Sequence, residues 1–229
     1  MFSILDTLYA FQRRTPEHIT QRLEASHLRE ALISLLLAPL WEADLTRPWL
    51  AKLLATDAST SFGFGASALP CSPATARDVG RLTEKRGDYV RFDRAGDDED
   101  EAERDRIGTP HRLSITKKQF TTLFSVKATK AASPGELEAF GLVMTARWVA
   151  RSQANHGHRV VVLVDAKAVL GAAAKGRSSA PSIAIHMRRL AALSLASGVL
   201  LRFVYVPSED NPADAPSRGP GKLPDRARL

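Results

Sequence analysis

The heptapeptide "RVVVLVD", Arg159–Asp165, decides how the chain folds. A near-continuous β-branched run of this length is the mark of a strand buried on both faces, which requires neighbours on either side and cover above and below. The run ends on an acid. One aspartate at a strand end is ordinarily a cap or a turn former, so Asp165 acquires meaning only if other acids occupy equivalent places.

Working upstream, Ser133-Pro134-Gly135-Glu136 opens a helix expected to reach about Ala154, with Leu137, Phe140, Gly141, Met144 and Trp148 on its apolar face. Glu136 has two readings. It is the partner of a capping box, three residues after Ser133, or a first-turn carboxylate bordering the buried face and aimed at the sheet. "NHGHR" supplies His156 and His158, best read as a solvated turn before the strand. Downstream, "AKAVLGAAAKG" is a short helix stopped at Gly176, and Pro181 to Ser197 is another stopped at Gly198. Lys167, Lys175, Arg177, Arg188 and Arg189 lie on these elements and fit a phosphate-backbone groove or plain solvated faces. Val199 to Val206 is a further strand, and the loop after it, within "LRFVYVPSEDNPADAPSRG" (Leu201–Gly219), delivers Asp214.

Farther out, Leu50 to Asp57, "LAKLLATD", is a strand that also ends on an acid. "ASTSFGFGASAL" follows, its Gly63 and Gly65 suited to a tight hairpin with close backbone approach. "HRLSITKKQFTTLFSVKAT" gives one or two short strands at a sheet edge. Cys71 to Pro110 shows scant periodicity, and its acidic block is expected to be a solvated, disordered loop without chemistry. Thr15-Pro16-Glu17 predicts a helix running to Leu37, with Leu28, Leu32, Leu35 and Leu36 in one stripe that must pack against something. Residues 1–49 are thus expected to form a helical appendage, residues 50–219 the main domain and residues 220–229 a tail.

Bulk properties bound the partners. The chain has 229 residues, 44% of them hydrophobic, and a net charge of +7. Asp93–Arg106 holds eight acids against three arginines, so the remainder carries +12, a balance that favours a polyanion such as nucleic acid. Cys71 is the single cysteine, which excludes an internal disulfide and any cysteine-rich zinc site and suits an intracellular setting. No leader is expected, since Asp6 interrupts the apolar N-terminus, and no apolar run is long enough for a membrane span.

The expected fold class is α/β, a mixed sheet flanked by helices, with acids emerging at element ends where they can converge. Carboxylates gathered at one point repel unless cations lie between them, and hard divalent ions want oxygen ligands.

"TDAS" with "GFGA" (Thr56–Ala66), "ELEAF" (Glu136–Phe140), "VLVDAKAVL" (Val162–Leu170) and "NPADAPSRG" (Asn211–Gly219) together resemble the ribonuclease H domain of retroelement reverse transcriptases. The closing pattern is most like long-terminal-repeat and tyrosine-recombinase retrotransposons, and "REALISLLLAPLWEADLTRPW" (Arg29–Trp49) resembles the connection that joins polymerase to ribonuclease H. The resemblance implies a ribonuclease H-like sheet and a catalytic set Asp57, Glu136, Asp165 and Asp214 holding two Mg2+ or Mn2+ ions. In that set Asp57 bridges both ions, Glu136 and Asp165 hold the leaving-group ion, and Asp214 the water-side ion. It implies cleavage of the RNA strand of an RNA–DNA hybrid, with 5′-phosphate and 3′-hydroxyl ends, in the company of a polymerase part. Choosing Glu136 over Glu138 rests on the E-L-x-A pattern and on Glu138 lying about 200° round the helix. The loop histidine common in relatives is replaced by Ser208, Glu209 and Asp210, which keeps open a non-catalytic module that binds nucleic acid or a partner protein.

Overall fold

In the computed structural model, residues 5–40, 44, 46–84, 87–93 and 108–219 are described. Seven strands form one mixed sheet: β1 (Trp49–Ala58), β2 (Gly63–Pro70), β3 (Tyr89–Phe92), β4 (Pro110–Leu113), β5 (Thr121–Lys127), β6 (Arg159–Val164) and β7 (Leu200–Tyr205). Their order is β4-β3-β7-β6-β1-β2-β5. β1, β2 and β5 make an antiparallel meander, while β6 runs parallel to β1, β7 to β6, and β3 and β4 continue in parallel beyond β7.

The helices among the described residues are α1 (Asp6–Arg14), α2 (Ala25–Leu37), α3 (Pro73–Arg81), α4 (Pro134–Ala150), α5 (Lys167–Lys175), α6 (Pro181–Ser197) and α7 (Asp214–Ser217). This is the expected mixed α/β sheet flanked by helices, consistent with a ribonuclease H-like fold, and β6 is enclosed within it as the run at Arg159–Asp165 predicts. Strand alternation divides the core in two. Val160, Val162 and Val164 of β6 face α4, α5 and α6, packing with Leu142, Val169 and Met187. Val161 and Leu163 face the other way, with Leu53, Val79, Phe92 and Val204, beneath α3. All five of these β6 residues are at most 1% exposed, which is what a strand flanked on both sides and covered on both faces must be.

Several elements differ from the sequence reading. The segment Cys71–Pro110 is not a featureless loop. Ser72 caps α3 by accepting the Thr75 N–H, and β3 is wholly buried. The apolar signal there is short and split between two element types, so no period emerges over a long window. The acidic stretch 94–107 lies outside the described residues. The two expected edge strands are found, but at opposite edges, β4 at one and β5 at the other.

The helix expected from Thr15 to Leu37 forms only over its later part, as α2, and α1 lies before the expected start. Thr15 is extended at φ −95°, ψ 118°, as a residue before proline prefers, and it closes α1 instead of opening a helix. α2 begins after Glu24, whose carboxylate accepts the His27 N–H while His27 Nδ1 accepts the Glu24 N–H. Glu30 of α2 accepts the Thr7 and Leu8 N–H groups at the free end of α1. The leucine stripe stays exposed, with Leu35 and Leu36 at 70% and 69%. None of the described helices is long and apolar enough to cross a membrane.

Candidate metal centre

β1 and β6 lie side by side in parallel register, Leu54 beside Val162 and Ala55 beside Leu163. Two residues farther along each strand this register brings Asp57 beside Asp165. The start of α4 lies across the same end of the sheet. Its Gly141 sits over the Asp57 carbonyl, close enough that a Cβ there would make van der Waals contact at 3.4 Å. One turn earlier on that stripe is Glu138. One oxygen each from Asp57, Glu138 and Asp165 fall within 4.8 Å of one another.

The glutamate in the cluster is therefore Glu138, a correction to the choice of Glu136. α4 is buried over a wide arc, with Leu137, Ala139, Gly141, Leu142, Val143, Thr145, Ala146 and Val149 all covered, so two adjacent stripes face inward. The stripe Glu138, Gly141, Thr145 faces the end of β1. The stripe Gly135, Glu136, Phe140 faces α6, where Phe140 packs on His186 with centroids 5.5 Å apart and Glu136 exerts its charge on that imidazole. The angular separation of the two glutamates is real, but an amphipathic pattern cannot say which side of a broad buried arc meets the strand ends. Ser133 does cap α4, accepting the Glu136 N–H at 3.4 Å.

The fourth sequence candidate, Asp214, opens α7 beside this group without entering the 4.8 Å cluster. Its charge still reaches Asp57. Asp214 Oδ1 accepts both Nε (2.9 Å) and Nη2 (2.7 Å) of Arg218. α7 lies directly on the sheet because β2 has no side chain at Gly65, the register partner of Asp57. A Cβ there would meet the Ala213 carbonyl at 2.7 Å and Pro216 at 2.8 Å. Hydroxyl and amide groups then fasten the segment: Ser67 to the Pro212 carbonyl (3.1 Å), Ser125 to the Pro216 carbonyl (2.7 Å) and Asn211 to the Thr56 carbonyl (3.1 Å). Buried Ser217 donates to Asp57 Oδ2.

The electrostatics follow from burial and like charge. Desolvation pushes the Asp57 carboxyl up to about 6, helped by the charges of Asp165 and Asp214 and opposed by the Ser217 hydroxyl. Burial, with Asp57 and Asp165 nearby, pushes Glu138 up to about 8. Asp165 Oδ1 is buried without a hydrogen-bond partner. Three hard oxygen donors, two of them reluctant to ionise together and one unsatisfied, are a set that can hold a metal ion.

The loop Ser208–Asp210 is held from β3. Arg91 of β3, 6% exposed in its side chain, reaches Asp210 at 2.9 Å and Glu209 at 3.1 Å. Glu138 was weighed in the sequence and set aside for Glu136, whereas Ser217 and Arg91 were not singled out. Ser217 had a signal, since it stands in the closing N-x-A-D-x-x-S-R pattern, whereas Arg91 lies in a stretch without periodicity. His156 and His158 form the expected turn, bonded to the Ala150 and His156 carbonyls. Compared with protein-family models, with curated proteins and with solved structures, the chain matches none.

Proposed function

We propose that this chain is a metal-dependent endonuclease that cleaves the RNA strand of RNA–DNA hybrids, the ribonuclease H part of a reverse transcriptase. The observation that carries the reading is the convergence of Asp57, Glu138 and Asp165 from β1, α4 and β6 of a ribonuclease H-like sheet, with Asp214 alongside. The residues that would hold Mg2+ or Mn2+ are Asp57, Glu138 and Asp165, with Asp214 alongside as a further carboxylate. Two such ions, when bound, supply charge neutralisation and Lewis acidity for an in-line displacement at phosphorus.

The chain's own residues do the rest. The Ser217 hydroxyl holds one oxygen of Asp57, fixing how the carboxylate presents the other. Burial and the neighbouring carboxylates favour the protonated form of Glu138, so a cation held there would have to displace that proton. Arg218, exposed and bonded to Asp214, balances that carboxylate until the ligand charge is needed. Selection of RNA falls to contacts with 2′-hydroxyls.

The test is cleavage of a hybrid labelled on the RNA strand, with Mg2+ or Mn2+. Asp57→Asn, Asp165→Asn and Glu138→Gln should each abolish RNA cleavage, while Glu136→Gln retains it. Wild-type protein that binds the hybrid but leaves the RNA intact in both metals would instead establish the non-catalytic module, with Arg91 holding the histidine-free loop as a structural element.

A further inference from the structure

Between α1, α5 and the loop leading into α6 there is an open cleft of about 500 Å³. Arg13 lines it from α1, Lys167 and Lys175 from the two ends of α5, and Arg177 from the loop beyond. Among the described residues none of these four cations pairs with a carboxylate. Lys167 lies instead over the Tyr205 ring at 4.9 Å and Arg177 over Tyr9 at 4.8 Å. The one acid on the wall, Asp6, is 3.5 Å from Arg188. Four like charges around one concavity raise its potential and concentrate anions there. The aromatic contacts leave the guanidinium and ammonium edges free to donate hydrogen bonds.

The cleft's Lys167 is close along the chain to the candidate metal centre. Lys167 is two residues past Asp165, and α5 carries the cations away from it, Lys175 lying eight residues on. At 1.5 Å per residue that is about 12 Å, close to the length of four nucleotides at about 3.4 Å each. We propose that this cleft binds the sugar-phosphate backbone of the nucleic-acid substrate over about four nucleotides on one side of the cleaved bond. The N-terminal helix α1 thereby becomes part of the substrate surface, not a mere connector. The proposal rests on the nuclease reading for the identity of its ligand, and the cleft takes the backbone by charge without reading bases.

The test is equilibrium binding of a fluorescein-labelled RNA–DNA hybrid in EDTA, where no cleavage occurs, across 50–300 mM salt. Arg13→Glu/Lys175→Glu should weaken binding at least about tenfold at 100 mM salt and lower the slope of log K against log salt by about 2, roughly 0.9 per lost phosphate contact. Lys175→Glu alone, which leaves the Arg177–Tyr9 contact intact, should give about half that change in slope. Arg77→Glu, the same charge reversal on α3 across the sheet, should leave the slope unchanged. Equal slopes for wild type and the double variant, with matching thermal melts, would overturn the proposal, as would polyglutamate binding as tightly as the hybrid. Loss of binding in the double variant while wild type fails to cut RNA would sink the nuclease reading and leave the cleft standing.

Discussion

Glu138 and Asp57 are carboxyls that fold into a place where ionisation is opposed. Between the ordinary carboxylate range near 4 and their folded values of about 8 and about 6, the folded chain binds more protons than the unfolded one. Stability therefore falls as pH rises through that window. In metal-free protein Glu138→Gln should raise the melting temperature at pH 8 by a few degrees and change it little at pH 4. At about 2–4 °C per kcal/mol for a domain of this size, calorimetry resolves the difference. An unchanged melt at pH 8 would show that Glu138 is not held under repulsion. A divalent cation competes with those protons, so Mg2+ should stabilise the protein more at pH 8 than at pH 6. At a hundred times its dissociation constant the gain is about 2.7 kcal/mol.

At the scale of the element, α7 is four residues long and owes its place to a missing side chain. Gly65→Ala would push a methyl into backbone atoms of Ala213, Pro216 and Ser217, none of which can swing aside. Overpacking of this kind costs about 1–3 kcal/mol, and here it should also weaken metal binding, because Asp214 and Ser217 move with α7. Titration of Mg2+-induced melting shifts checks both. β3 works in the same way through Arg91. Arg91→Met leaves the Asp210 carboxylate buried without its guanidinium and should cost about 3–5 kcal/mol, most of it recovered in Arg91→Met/Asp210→Leu. Denaturant unfolding of the two variants decides this. These elements show where sequence reading reached and stopped. β6 and α4 were legible because long runs of one period name their own type. β3, four residues in a stretch without pattern, was not, since its burial is imposed by β7 and α3. The glycines of "GFGA" announced a close approach, but only the fold says that what approaches is a segment some 150 residues away.

Across the whole molecule, the two apolar layers and the site answer to different parts of the chain. The layers are built by alternation within β1 and β6, a local property, and were foreseeable. The carboxylate cluster is assembled from residues 57, 138 and 165, so its membership depends on which stripe of α4 faces the strand ends, a global property. That is why sequence position picked out Asp57 and Asp165, which the fold brings together, but took Glu136 for Glu138 and added Asp214, which stands outside the cluster. The N-terminal helices are also a whole-molecule matter. Leu35→Glu and Leu36→Glu replace side chains that are already in water, so both should leave the unfolding midpoint of the isolated chain within about 0.5 kcal/mol of wild type. A larger loss would mean that the stripe is covered in solution.

The bond from Ser217 to Asp57 joins residues 160 positions apart. During synthesis the first carboxylate of the centre waits for almost the whole domain to be made before the hydroxyl that orients it exists. At about 5–20 residues per second that interval is roughly 8–30 s. A released chain ending before residue 217 would have its seven strands and three converging acids but an unsteadied Asp57, and a protease that trims only the last segment would return a finished protein to that state.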